Sequence, residues 1–222
     1  MKKFLVILIC LLIPTSLFAA DITVGGAIGL SHSWMSGSDW DDYLEYMPSS
    51  FGFSKSASGE FRLGFELGAF CDIAINELFS VQPELNFFYM RVGAGVSESG
   101  VDFAMTWSLK ILEIPVLAKF NFEAGNGAFF FYLGPAIQFV LGDMGMDVDV
   151  SGGGFSASAS DSAPVDNSVL FAGVVGLGYA MPIANGKLSF NLRYRRAFTS
   201  FADDFNGRTN TIGLRVGYGL GL

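Results

Sequence analysis

Charge is scarce in this chain. Only 15% of its 222 residues are Asp, Glu, Lys or Arg, against about 25% in an ordinary soluble domain. There is one histidine, His32, and there are two cysteines, Cys10 and Cys71. Side chains that bind metal are therefore too few and too scattered for a zinc pattern. A catalytic set of nucleophile, base and orienting group is missing too. Ser31 and Ser33 flank His32, but on a strand they point to the opposite face. There is no glycine-rich nucleotide loop and no aspartate dyad. No cofactor and no metal are expected, and the chain is not read as an enzyme. Cations are scarcer than anions, 13 Lys and Arg against 21 Asp and Glu, for a formal net charge of −8. That balance excludes nucleic acid as a partner, because binding it requires Lys and Arg to neutralise phosphates. It equally excludes a polybasic membrane anchor.

An apolar run long enough for a membrane-spanning helix is also lacking. Phe129–Leu141 and Val169–Ile183 are the best candidates. Both fall short of the ~20 residues a helix needs, and both carry Pro or several Gly. Yet 51% of the residues are hydrophobic and the mean hydropathy is +0.45, so lipid is expected as part of the solvent. Gly, at 28 residues, and Phe, at 23, are both abundant. In a membrane barrel, Gly lets the wall bend and the lumen stay narrow, while Phe coats the lipid face.

Residues 1–20 read as a secretory signal peptide. Lys2 and Lys3 form the positive start, Phe4–Ile13 the apolar stretch, and Leu17-Phe18-Ala19-Ala20 the small-residue cleavage region. Its removal takes away Cys10, leaves Cys71 as the single thiol with no disulfide partner, and moves the formal charge from −8 to −10. The mature domain is 21–222.

That domain repeats one pattern. At its end, Ile212, Leu214, Val216, Tyr218, Leu220 and Leu222 alternate with Gly213, Arg215, Gly217, Gly219 and Gly221. A strict period of two marks a strand with unlike faces. Here the apolar face suits lipid, and the Gly/Arg face suits a crowded polar lumen. The alternation recurs in 22–34, 59–75, 79–91, 105–122, 128–142, 168–183 and 187–198, which makes about eight strands. Cys71 falls on the lipid-facing side as a small apolar filler. Asn76-Glu77, Glu123–Gly127 and Ala184–Gly186 read as tight turns. The intervening segments 35–58, 93–102, 143–167 and 199–207 read as longer loops. Short turns face the periplasm and long loops the exterior in such barrels. The expectation is an all-β, transmembrane, antiparallel up-and-down barrel with both termini in the periplasm.

The segment Ile111-Leu112-Glu113-Ile114-Pro115-Val116-Leu117-Ala118-Lys119-Phe120 resembles the mid-chain strand of the PorT-like family of small outer-membrane β-barrels. Phe131-Tyr132-Leu133-Gly134-Pro135-Ala136 resembles that family's next strand. The resemblance implies a Gram-negative outer-membrane barrel inserted by the barrel-assembly machinery, and it is weak for function. The chain departs from a common barrel ending, because its last residue is Leu222 rather than an aromatic.

The inward parity collects acids at Glu60, Glu66, Asp72, Glu84 and Glu113, and bases at Arg62, Lys119, Lys187, Arg193, Arg195 and Arg215. Isolated charges in so narrow an interior are costly, so they must pair. The expected network joins Glu66, Glu84 and Glu113 to Arg193, Arg215 and Lys119, with Arg62 also facing inward. It would cross-link and close the lumen. The alternatives are a narrow polar pore along these charges, or a pocket helped by Phe130, Tyr132 and Val140. The loops are acidic, and Asp143, Asp147 and Asp149 offer a weak oxygen site for a cation such as Ca²⁺. Trp34, Trp40, Trp107 and His32 read as interfacial or loop anchors. Two functional readings follow. The first is a non-enzymatic surface, structural or interaction protein whose partners are outer-membrane lipid and an extracellular ligand met through the loops. The second is a narrow porin-like channel or conduit for small, including hydrophobic, solutes.

Overall fold

The computed structural model describes residues 21–203 and 205–222. The leader expected at 1–20 lies outside the described residues. Eleven strands form: β1 (Ile22–Ser36), β2 (Ser58–Glu60), β3 (Leu63–Ala74), β4 (Phe79–Glu98), β5 (Val101–Ala124), β6 (Gly127–Val140), β7 (Met144–Gly152), β8 (Phe155–Ala163), β9 (Val169–Ile183), β10 (Gly186–Ala197) and β11 (Arg208–Gly221). One helix, α1 (Ser38–Tyr46), runs into a short 3₁₀ turn.

Eight of the strands close a ring in the order β1-β3-β4-β5-β6-β9-β10-β11. The ring shuts where β11 pairs with β1, from Thr23↔Gly221 to Ser36↔Arg208. Every pairing is antiparallel, so the barrel expected from the period-two pattern is the observed fold. Closure leaves no sheet edge in the wall, as lipid requires. The ring strands run from 12 to 24 residues, beyond the ~9–11 that a tilted strand needs to cross. The ladders skip at Pro83, Pro115 and Pro135, which have no N–H to donate. Among the described residues no helix is long and apolar enough to cross a membrane.

The three tight turns gather at one end. Asn76 fixes the first by accepting, through Oδ1, the amides of Leu78 and Phe79. At the other end the structure departs from the sequence reading. Segment 93–102 is not a loop, because β4 and β5 run on as a hairpin to a two-residue turn at Ser99 (φ 56°) and Gly100 (φ 80°). Positive φ at both positions matches the twist of paired strands. Most of 143–167 is likewise a second hairpin, β7–β8, laid beside the outer half of β5. The outer sheet therefore runs β2-β4-β5-β7-β8, continuous with the barrel wall.

The two faces separate as their chemistry demands. Leu214, Ile28 and Leu67 point outward and are exposed, while Gly213, Arg215 and Glu66 point inward and are buried. The outward belt is the surface that lipid covers.

A closed charge layer inside the barrel

The interior changes character along its axis. On β4 the inward positions start polar at the turn end with Ser80, Gln82, Glu84 and Asn86. They become apolar toward the far end with Phe88, Met90, Val92, Ala94 and Val96. The charge layer sits where one regime gives way to the other.

Glu84 is at its centre. Arg193 donates to it in bidentate fashion, Nη1 to Oε2 at 2.7 Å and Nη2 to Oε1 at 2.8 Å. Arg215 adds a third bond at 3.1 Å, and the amides of Gln82 and Asn86 donate at 2.6 and 2.9 Å. Arg195 holds the other two acids. Its Nε donates to Glu113 at 3.0 Å, and its Nη2 donates to Glu66. Gln138 Nε2 donates to Glu113 at 2.8 Å. Three carboxylates thus face three guanidiniums, all nearly fully buried, and the layer is formally neutral. That balance is what makes burial tolerable, because desolvated charges are stable only when paired and hydrogen-bonded. Tyr132 and Phe88 add ring faces 5.0 Å from the Arg193 and Arg195 guanidiniums. Some capacity is unused: Glu66 Oε1, Arg195 Nη1 and Arg215 Nε have no hydrogen-bond partner.

Glycines opposite the layer make room for it. A Cβ on Gly68 would lie 2.0 Å from Asn86 Oδ1, and one on Gly213 would lie 2.7 Å from Glu66 Oε1.

Of the residues singled out in the sequence, Glu66, Glu84, Glu113, Arg193 and Arg215 meet here. Lys119 does not. It binds Asp72 and, at 3.2 Å, Gln82, on the turn side of the layer. Lys119 lies three inward positions from Glu113 along β5, about 20 Å of extended strand, too far to reach it. The third cation is Arg195, whose inward parity was visible but whose cross-barrel partner depends on register. Arg62 does not face inward: at the break between β2 and β3 it lies with Glu60 against Gly93, on the face of β4 opposite the inward Val92 and Ala94. It pairs with Glu60 and donates to Thr106 at 2.9 Å.

Below the layer, a cavity of about 750 Å³ opens at the turn end, lined by Asp72, Gln82, Lys119, Asn121, Lys187 and Asn191 among others. Above it, Phe88, Met90, Leu109, Ile111, Val140 and Leu170 fill the lumen. Farther out, Trp40 of α1 seals the mouth with Met35, Val92 and Ala94, its ring edge-on to Trp107 at 5.3 Å. Trp40 and Trp107 are therefore plug residues rather than members of a girdle. His32 sits at the rim, stacked on Phe61 at 4.4 Å.

Asp143, Asp147 and Asp149 do not form a cation site. Asp147 and Asp149 lie on β7, where they accept hydrogen bonds from Ser160 at 2.7 Å and Ser158 at 2.6 Å across to β8. Among the described residues no group of three or more His, Cys, Asp or Glu side chains is placed to hold a metal.

Comparison with solved structures finds likenesses at low sequence identity. Ail of Yersinia pestis is 16% identical over 89% of this chain and 98% of its own, with a TM-score of 0.36. Neisserial surface protein A is 15% identical over 88% and 95%, with a TM-score of 0.43. OprG of Pseudomonas aeruginosa is 12% identical over 92% and 96%, with a TM-score of 0.46. No curated protein matches the sequence. The family model of the outer membrane protein β-barrel domain matches residues 20–203, and with the closed eight-strand ring and lipid-facing belt above, the chain belongs to that family and is a protein of the outer membrane.

Proposed function

We propose that this barrel is a non-enzymatic surface protein that acts through its extracellular end, with a lumen that is closed at rest. The observation that carries the reading is the double seal. A neutral layer of three acids and three arginines lies beneath an apolar plug that includes a helix from the first loop. A pore built for flux has little use for both. The outer sheet supports the same reading. It stands beyond the lipid belt as a continuation of the wall and offers acidic side chains such as Asp102, Asp147 and Asp149 on paired strands. In this reading export depends on the leader at 1–20, insertion depends on the barrel-assembly machinery, and the Leu112–Lys119 strand gives the barrel an affinity with PorT-like barrels.

The second reading, a narrow conduit, is favoured by the polar cavity at the turn end and by the three unpartnered atoms in the layer, which leave room for an alternative pairing. Single-channel recording of the refolded mature protein in a planar bilayer separates the two, with heat-shifted gel mobility as the folding control. A folded barrel without current steps is the expected result. Steady, protein-dependent steps would overturn the closed reading in favour of the conduit.

A further inference from the structure

The cavity beneath the charge layer is blind. Glu84, Arg193, Arg215 and Tyr132 form its roof, and its mouth opens among the tight turns. Asp72, Gln82 and Lys119 on β3, β4 and β5 fill one side of it. Ala27, Ala180 and Gly219 on β1, β9 and β11 leave the other side open. Its volume of about 750 Å³ lies within the ~300–1,000 Å³ of small-molecule pockets.

Most polar groups around the cavity are engaged. The roof arginines are bonded to Glu84. Lys119 binds Asp72 and, at 3.2 Å, Gln82, and its ammonium lies 4.7 Å from the centre of the Phe130 ring. Two groups are left over. Asp72 gives Oδ2 to Lys119, but its Oδ1 is buried without a hydrogen-bond partner. A buried acceptor in that state is costly until a donor reaches it. Lys187 stands on β10, three strands round the ring from Asp72 on β3. Among the described residues it takes part in no ion pair. Four residues along the same face, Asn191 accepts from the Tyr132 hydroxyl at 3.0 Å through its carbonyl. Its amide N–H groups are left for a guest.

These leftovers specify a ligand. A free ammonium with an amide donor on the same strand suits one carboxylate, since charge-assisted bonds are the strong ones. The orphaned Asp72 oxygen suits a hydroxyl that donates to it. A second negative charge on the guest is disfavoured, because the acids Asp21, Glu77 and Glu123 line the mouth.

We propose that this cavity is a binding pocket for a small hydroxylated monocarboxylate that enters from the periplasm. Lys187 and Asn191 hold the carboxylate, and a hydroxyl of the guest donates to Asp72 Oδ1. The site is separate from the extracellular end to which the surface role is assigned. The barrel then meets different molecules at its two ends, with the seal between them.

The test uses the mature barrel in detergent, with D-gluconate as the probe. Equilibrium dialysis counts the bound gluconate. Acetylation of amines by a water-soluble reagent, mapped by mass spectrometry, locates it. Gluconate is expected to bind saturably, one per barrel, and to slow acetylation of Lys187 but not of Lys110, which is exposed on the outer face. Acetate lacks the hydroxyls, sorbitol lacks the carboxylate and glucarate carries two; each should bind about tenfold more weakly or worse. Lys187→Gln should weaken gluconate binding to the same extent. So should Ala180→Leu, which fills the cavity without altering a charge. Heat-shifted mobility confirms that only folded barrels are compared. Asp72→Ala should bring gluconate and acetate closer together. Absence of saturable binding, undiminished binding by Lys187→Gln or Ala180→Leu, or an unchanged preference in Asp72→Ala would overturn the proposal. Passage of gluconate through the barrel into sealed vesicles would make the cavity the inner half of a conduit and overturn the blind pocket as well.

Discussion

Glu84→Gln is the most informative single change in the interior. The substitution keeps the shape and removes one negative charge. It leaves Arg193, Arg195 and Arg215 facing only Glu66 and Glu113. Glu84 accepts five hydrogen bonds, three of them from guanidiniums, and its side chain is 1% exposed. Removing one partner of a buried pair strands the other and costs about 3–5 kcal/mol. Arg193→Met on top of Glu84→Gln restores neutrality, two acids to two arginines, so the double variant should be more stable than the sum of the single losses requires. Urea unfolding of the refolded barrel, followed by the fluorescence of Trp34, Trp40 and Trp107, reads all three variants. The rim pair Glu60–Arg62, with side chains 32% and 25% exposed, provides the contrast. Glu60→Gln should cost no more than about 1 kcal/mol. A loss for Glu84→Gln as mild as that for Glu60→Gln, or a double variant that loses the full sum of the single effects, would refute the buried network.

Two smaller tests follow. Gly68→Ala would drive its methyl group into Asn86 Oδ1, which accepts from Arg215 at 3.1 Å; a loss of about 1–3 kcal/mol is expected in the same urea assay, as for other overpacked interiors. Tyr43 of α1 donates to Met105 Sδ at 3.5 Å, and burial raises its phenol above the ordinary value near 10. The folded state therefore holds that proton longer than the unfolded one. The contribution is intact below pH ~10 and lost as pH climbs from there through the raised value. An ultraviolet difference titration of wild type against Tyr43→Phe should show the missing phenol titrating late, and an ordinary or early titration would refute the burial of α1.

The wall could be read from the sequence because one face meets lipid and the other a crowded lumen, and that contrast prints a period of two. Cross-barrel partners could not. Parity says that Glu113 and Arg195 both face inward, but only the register of β10 on β9 and β11 sets their height. Parity alone therefore cannot assign Lys119 to Asp72, its partner in the folded register. The second hairpin was hidden by composition. Gly152–Ser160 has the look of a flexible linker, yet Met144, Met146, Val148 and Val150 alternate with Gly145, Asp147, Asp149 and Ser151 just before it. That alternation packs β7 onto Phe103 and Met105 and carries β8 with it. The helix left a fainter signal, Trp40, Tyr43 and Leu44 at the spacing of one helical face, and these are the residues that cap the mouth.

Opening the lumen has a calculable cost. A conducting state has to part Arg193 and Arg215 from Glu84, or Arg195 from Glu66 and Glu113, in a layer whose side chains are almost wholly buried. At about 3–5 kcal/mol for a broken buried pair, the parted state would be populated on the order of one part in 10³ without a second partner to receive the freed charge. Arg215 has such a partner nearby, because its Nε lies 3.9 Å from Glu66 Oε1 and both atoms are otherwise unbonded. Moving Arg215 from Glu84 to Glu66 would therefore cost less than full separation, but it frees only one of the two arginines on Glu84. It also leaves untouched the apolar cluster of Phe88, Leu109, Ile111 and Leu170 directly above. An ion crossing that cluster would shed its water with no polar group to replace it. The two seals thus act in series and fail for different reasons. A variant that opens the charge layer alone, such as Glu84→Gln, should therefore lose stability without gaining current.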